Sequence, residues 1–102
     1  MTKTERVEKV IRSSIEQVNV GRAPDQQVSP DLSTFLAKPR GALDSLSIVE
    51  LMVNLETGLE DEFGIIVSLA EVAGTPEGHD MFLTVESLTA ALLQQVKELA
   101  DD

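Results

Sequence analysis

GALDSLSIVEL, residues 41–51, places one serine, Ser45, at the predicted start of an amphipathic helix. Gly41 can end the preceding structure, and either Asp44 or Ser45 can cap the helix. Apolar residues then recur at helical spacing in two sets: Leu46, Val49, Val53 and Leu51, Leu55, Leu59. A helix N-terminus presents unpaired N–H groups and the positive end of the helix dipole. Ser45 is therefore a favourable place for an anionic group such as a phosphodiester.

This stretch resembles the prosthetic-group site of the acyl carrier protein family. The family's Asp-Ser-Leu motif stands here as Asp44, Ser45 and Leu46, followed by a Val-Glu-Leu run at 49–51, and the tight agreement covers residues 41–56. The resemblance implies that 4′-phosphopantetheine is esterified to Ser45 and carries acyl groups as thioesters on its terminal thiol. It also implies that Asp44 helps the phosphopantetheinyl transferase through the metal ion of that enzyme. The chain is then a carrier and not an enzyme.

The second helix also carries the residues that would meet partner enzymes. The resemblance implies that Glu50 and Glu56 dock basic patches on acyl-transferring or condensing enzymes. Val49 and Val53, with Leu46, have two open interpretations: they pack in the core, or they face the partner beside the prosthetic arm. Ser47 stands where carriers of fatty acid synthesis often have an acid. This departure speaks against the standard fatty acid enzymes as partners. Two loops and a second helix that are longer than the family's indicate a specialised carrier, whose cargo is expected to be an unusual fatty acyl chain, a polyketide intermediate or a lipid precursor.

Composition and charge limit the classes of partner. The chain has 102 residues, enough for one domain over 1–102, and contains no cysteine, so a thioester needs a sulfur from a prosthetic group. Residues 1–40 hold seven basic and five acidic residues, whereas residues 41–102 hold one lysine and thirteen acids. Such a surface repels nucleic acid and anionic lipid and attracts basic protein patches. With no apolar signal-like N-terminus, we expect a soluble, cytoplasmic monomer.

Periodicity predicts an all-α, four-helix bundle like that of the acyl carriers, with three main helices, one short helix and a long first loop. The helices are expected at residues 4–20, 45–63, 68–73 and from 85 onward, with Thr2 and Glu5 as a capping box for the first. Gly58 is a weak point inside an extended second helix. The tail, Asp101 and Asp102, is expected to fray.

Apolar residues outside the second helix define the expected core. The first helix contributes Val7, Val10, Ile11, Ile15 and Val18, and the last contributes Val85, Leu88, Leu92, Val96 and Leu99. Three connecting segments should also turn inward: Leu32, Phe35 and Leu36 in the first loop, the run Ile65, Ile66 and Val67, and the run Met81, Phe82 and Leu83. The wall of an acyl pocket would come from Ile48, Met52, Leu55, Phe63, Val67 and Phe82, although such residues are ordinary packing in a bundle.

Other chemistry finds little support in the sequence. The one histidine, His79, is interpreted as a solvated loop residue, because no metal-ligand pattern or nucleophile–base arrangement accompanies it. The acids form no oxygen-ligand loop with a central glycine, so no metal site is predicted. The alternative function is a non-carrier acidic adaptor, a helical bundle that docks a basic protein partner and makes no use of Ser45.

Overall fold

The computed structural model describes residues 1–100, and within them the chain forms four α-helices and no strand beyond isolated bridges. The helices are α1 (Lys3–Asn19), α2 (Ser45–Phe63), α3 (Leu69–Ala73) and α4 (Val85–Leu99), with a 3-10 turn at Pro24–Gln26. Helix α1 packs against α2 and α4, and α3 packs against α2. The predicted all-α bundle with a long first loop is confirmed. The expectation for Asp101 and Asp102 lies outside the described residues.

Side-chain caps fix where the helices begin. The Thr2 hydroxyl accepts a hydrogen bond from the Glu5 N–H at 3.1 Å, and the Glu5 carboxylate accepts one from the Thr2 N–H at 2.9 Å, which confirms the predicted capping box. The Ser68 hydroxyl caps α3 by accepting a hydrogen bond from the Glu71 N–H, and Thr84 caps α4 in a capping box with Ser87. These caps satisfy N–H groups that the first helical turn leaves without partners, so the local sequence alone sets these boundaries.

The core follows the helical periodicity closely. All five predicted residues of α1 are buried, and Leu51, Leu55 and Leu59 of α2 are fully buried. Four of the five predicted α4 residues are also buried, but Leu99 is 50% exposed, so its assignment to the core was wrong. Leu99 is the last residue of α4 and lines an open groove, and no other helix among the described residues covers it.

Four apolar residues of the connecting segments were wrongly assigned to the core. Alternation of side chains between faces along an extended backbone explains two of them: Ile66 lies between the buried Ile65 and Val67, and Phe35 precedes the buried Leu36. The buried members are Leu36, Ile65, Val67, Met81 and Phe82, and the exposed ones are Leu32, Phe35, Ile66 and Leu83. Val28 and Leu43 complete the anchoring of the first loop, and neither was predicted to do so.

Gly58 has a packing role in addition to its low helix propensity. Helix α2 runs without interruption through it over 19 residues, as the extended-helix prediction required. A Cβ atom added at Gly58 would lie 2.8 Å from Cγ1 of Val10 on α1. The missing side chain therefore lets α1 approach α2 closely, and the propensity cost of about 1 kcal/mol is accepted for that contact.

One ionic cluster joins the start of α1 to the end of α2. The Glu62 carboxylate accepts hydrogen bonds from Arg6 at 2.9 Å and from Lys9 at 3.0 Å, while Arg6 also donates to the Glu62 carbonyl at 2.6 Å. The Arg6 guanidinium lies 4.4 Å from the centre of the Phe63 ring. These contacts lower the pKa of Glu62, chiefly through the hydrogen bond from Arg6 and then that from Lys9.

Glu62→Gln is expected to lower the melting temperature at neutral pH and to have little effect in acid. Because the pKa of Glu62 is lowered in the folded state, its stabilisation is present above the unfolded pKa of about 4.3 and is lost as pH falls through the folded value. Thermal unfolding at neutral pH and at acid pH below both values measures this. The matched control is Glu60→Gln, an exposed neighbour. An equal decrease in melting temperature at both pH values would show that the charge of Glu62 does not stabilise the contact between α1 and α2.

Candidate functional site

The start of α2 is capped by Asp44, which leaves Ser45 as the first helical residue. The Asp44 carboxylate accepts a hydrogen bond from the Ser47 N–H at 2.9 Å, and the Asp44 carbonyl accepts one from the Ile48 N–H at the same distance. The Ser47 backbone bond is the largest cause of a lowered Asp44 pKa, with smaller contributions from the charges of Lys38 and Arg22. Of the two caps that the sequence left open, the structure uses Asp44.

The Ser45 side chain is exposed and chemically available. Within residues 1–100 its hydroxyl has no hydrogen-bond partner, and the N–H groups of Ser45 and Leu46 donate to no other residue. The hydroxyl therefore has room for an ester, with two free donors beside it at the positive end of the helix dipole. A phosphodiester fits these groups. Among the described residues, no general base contacts the Ser45 hydroxyl.

Two basic residues of the first loop, Arg22 and Lys38, lie near the start of α2. Arg22 donates to the Ser47 hydroxyl at 3.4 Å and to the Ala42 carbonyl at 3.3 Å, and it also donates to the Gln26 carbonyl at 2.8 Å. Lys38 contributes to the lowered pKa of Asp44. Neither residue was predicted to lie here. The sequence showed an excess of basic over acidic residues in residues 1–40, but it did not show where the loop places them. Their charge favours an anion near Ser45.

A short double contact holds the loop that leads into Ser45. The Leu43 N–H donates to the Leu36 carbonyl and the Lys38 N–H donates to the Leu43 carbonyl, each at 2.9 Å. Leu36 in turn donates to the Leu83 carbonyl at 3.0 Å, which ties the first loop to the segment before α4. Leu36 and Leu43 are buried. The serine therefore lies on a helix whose entry is fixed by the core and not on a free loop.

Helix α2 presents a stripe of apolar side chains to solvent, which we call the outward stripe: Leu46, Val49 and Val53. These side chains are 79%, 53% and 55% exposed, respectively. The core interpretation is therefore wrong for all three, and the partner-facing interpretation stays a prediction. The stripe begins directly beside Ser45 and continues along the helix for two turns. Exposed apolar residues grouped in this way are typical of an interaction surface.

The two predicted docking acids differ in what they contact. Glu50 is exposed, close to the outward stripe. Glu56 is half-buried, and its carboxylate accepts a hydrogen bond from the Leu69 N–H at 2.8 Å, so it holds the first turn of α3. The sequence predicted a docking acid or a solvated one at Glu56, and this contact within the fold was missed. Among the other acids of α2, Glu60 and Asp61 are exposed.

No family model, curated protein or solved structure matches this chain. The motif at residues 44–46 and the geometry around Ser45 are therefore the features of the chain that point to a function.

The sequence also singled out His79 and the wall of an acyl pocket. His79 is an exposed loop residue whose Nδ1 lies 3.0 Å from an Asp80 carboxylate oxygen, as expected of a solvated histidine. In the described chain, no three potential metal-ligating side chains come together, and no helix has the length and apolar character needed to cross a membrane. The six residues proposed for an acyl-pocket wall are all buried or half-buried, and Val67 also lines an open groove beside α4.

Proposed function

We propose that this chain is a discrete acyl carrier protein. Its cofactor is 4′-phosphopantetheine on the Ser45 hydroxyl, and the thiol of that group supplies the thioester linkage to acyl cargo. The observation that carries the proposal is the exposed, unpartnered hydroxyl of Ser45 at the first position of α2, inside an Asp-Ser-Leu motif. The cap by Asp44 and the nearby Arg22 support an anionic ester at this position.

The surface beside Ser45 supports protein partners as well as the cofactor. A transferase that modifies Ser45 must contact the outward stripe, since Leu46 is the next residue and is 79% exposed. Glu50 adds negative charge to that contact and suits an enzyme with a basic patch. The downstream partners are acyl-transferring or condensing enzymes of fatty acid, polyketide or lipid biosynthesis. Ser47, with Arg22 against its hydroxyl, favours a specialised pathway over the standard fatty acid enzymes.

The test is the intact mass of the chain after incubation with coenzyme A and a broad-specificity phosphopantetheinyl transferase. One added phosphopantetheine per chain is expected, located by peptide mapping to the segment that contains Ser45. A chain left unmodified by several active transferases would overturn the proposal. The alternative, an acidic adaptor that docks a basic partner, would then be favoured by the outward stripe and the net charge of −10.

Glu50→Lys is expected to slow this modification more than Glu60→Lys does. The two substitutions change the net charge equally, but Glu60 lies about 15 Å farther from Ser45 along the helix axis. Each exposed contact contributes roughly 0.2–1 kcal/mol, so the rate should fall up to about fivefold. The difference should shrink with added salt, because charges are screened beyond about 8 Å at physiological ionic strength.

Glu56 is a poor choice for this comparison because it holds α3. Modification kinetics at two salt concentrations, with circular dichroism to check folding, measure the effect. Identical rates for the two variants at low salt would show that the acids of α2 are only a solvated face.

A further inference from the structure

A second concave surface lies on the side of the chain formed by α3 and α4. We call it the α3–α4 groove; its volume is about 540 Å³, and it runs between the segment from Ile66 to Gly78 and the second half of α4. None of the three residues of the outward stripe lines it. It is therefore a separate surface from the one that adjoins Ser45.

Several of the residues that line the α3–α4 groove are apolar. Ile66 is 84% exposed and Leu99 is 50% exposed, and both line the groove, with Val72 and Ala91 partly buried between them. Ile66 cannot turn inward, because its neighbours on both sides are buried in the core. Such a large apolar side chain held in solvent is unfavourable for the isolated chain, since its apolar area stays in contact with water. A partner that covers it would remove this cost.

The rim of the groove is acidic. Glu71, Glu77 and Glu98 line it, and no lysine or arginine does. In the part of the chain that the structure describes, none of these three carboxylates forms an ion pair. The Glu98 carboxylate accepts a hydrogen bond from Gln94 at 3.0 Å, but this neutral donor leaves its charge uncompensated. The negative charge of the groove is complementary to a basic partner.

One wall of the groove is held by short contacts and is preformed. The Thr75 hydroxyl donates to the Val72 carbonyl at 2.7 Å, and the Gly78 N–H donates to the Thr75 hydroxyl at 3.1 Å. Gly78 packs so closely that a Cβ atom there would collide with the Val72 carbonyl. A preformed wall reduces the conformational entropy that binding must remove.

We propose that the α3–α4 groove is a second docking surface, which binds a segment of a partner protein that carries a large apolar side chain flanked by lysine or arginine. The apolar side chain would cover Ile66 and Leu99, and the flanking cations would face the three rim carboxylates. A second copy of this chain is a poor occupant, because each copy has a net charge of −10 and the two would repel each other. An anionic lipid surface is disfavoured for the same reason.

The probe is a short amphipathic peptide of leucine and lysine, titrated into the isotopically labelled full chain and followed by nuclear magnetic resonance. Two matched peptides accompany it, one with glutamate in place of lysine and one with serine in place of leucine. We expect the leucine–lysine peptide to bind and to shift the amides of Ile66, Val72 and Leu99. The glutamate and serine peptides should bind at least about tenfold more weakly, since each lacks one of the two required features.

Variants of the chain locate the binding. Ile66→Ser combined with Leu99→Ser removes the apolar ends, and both residues are exposed, so the fold should persist. We expect about tenfold weaker binding by this pair, and a similar loss for Glu77→Lys combined with Glu98→Lys. The matched control, Leu46→Ser with Val53→Ser, alters the outward stripe by the same chemistry and should leave groove binding unchanged.

The proposal is overturned if the leucine–lysine peptide does not bind, or if its shifts map to the outward stripe alone. Unchanged groove binding in both groove variants, or equal binding of the glutamate peptide, would overturn it as well. All measurements use the chain without the prosthetic group, and Ser45→Ala should give the same result. Failure of the carrier proposal and failure of this one are therefore distinguishable.

Discussion

Ser45→Ala is expected to abolish phosphopantetheine attachment completely and to leave the fold intact. The substitution removes the one hydroxyl that is exposed and unpartnered at the first position of α2. It does not remove the helix cap, because Asp44 and not Ser45 accepts the hydrogen bond from the Ser47 N–H. We therefore expect a change in stability within about 0.5 kcal/mol, as for other surface substitutions. Intact mass after treatment with transferase and coenzyme A reports the modification, and thermal unfolding reports the stability.

Ser47→Ala is the matched control for this prediction. Ser47 is two residues farther along the same turn, is half-buried, and its hydroxyl meets Arg22 at 3.4 Å. Its N–H still donates to Asp44 after the substitution, so the helix should begin at the same residue. We expect full modification of this variant. If Ser45→Ala still gains the group, or if both variants lose it equally, Ser45 is not the attachment point.

Gly41→Ala is expected to lower the stability of the fold strongly. A Cβ atom at Gly41 would collide with the carbonyl group of Leu36, which is backbone and cannot move aside as a side chain would. The same carbonyl accepts the hydrogen bond from Leu43 at 2.9 Å. Overpacking of this kind costs about 1–3 kcal/mol or more. For a domain of this size, each kcal/mol corresponds to a decrease of roughly 4–8 °C in melting temperature.

Gly74→Ala provides the comparison for Gly41→Ala. Gly74 follows α3 with an ordinary right-handed backbone, and an added Cβ atom would make a 3.4 Å contact with the Glu71 carbonyl, at the edge of normal van der Waals distance. We expect a change of less than about 0.5 kcal/mol there. Thermal and denaturant unfolding of the two variants measure the difference. Equal stability of the Gly41→Ala and Gly74→Ala variants would mean that the loop before Asp44 can relax around the added methyl group without loss of stability.

Gly41→Ala also connects the fold to the proposed function. The loop that Gly41 allows to close positions Asp44, and Asp44 fixes where α2 begins. If the clash shifts this loop, the modification of Ser45 should slow even at temperatures where the chain remains folded. The kinetics with transferase, compared between Gly41→Ala and Gly74→Ala, therefore report on how far the geometry of the helix entry matters.

The candidate site divides into a local part and a part that depends on the fold. The serine and the helical spacing of the stripe lie within residues 44–53, so the motif and the helical period were enough to predict them. The choice of Asp44 as the cap and the exposure of the stripe were left open by the sequence. The contacts of Arg22 with Ser47 and of Glu56 with Leu69 join residues that are distant along the chain. No local pattern indicates such pairs, and the sequence analysis therefore missed the basic neighbour of Ser45 and the structural role of Glu56.

The sequence by itself determined the helices, the caps of α1, α3 and α4 and the buried face of α1, because these depend on hydrogen bonds and periodicities within a few residues. Tertiary structure decided which apolar residues of the connecting segments are buried. Ile65 and Val67 pack in the core while Ile66 faces solvent, and Leu36 is buried while Phe35 is not. An extended segment alternates its faces, and only the position of the neighbouring helices determines which face meets the core.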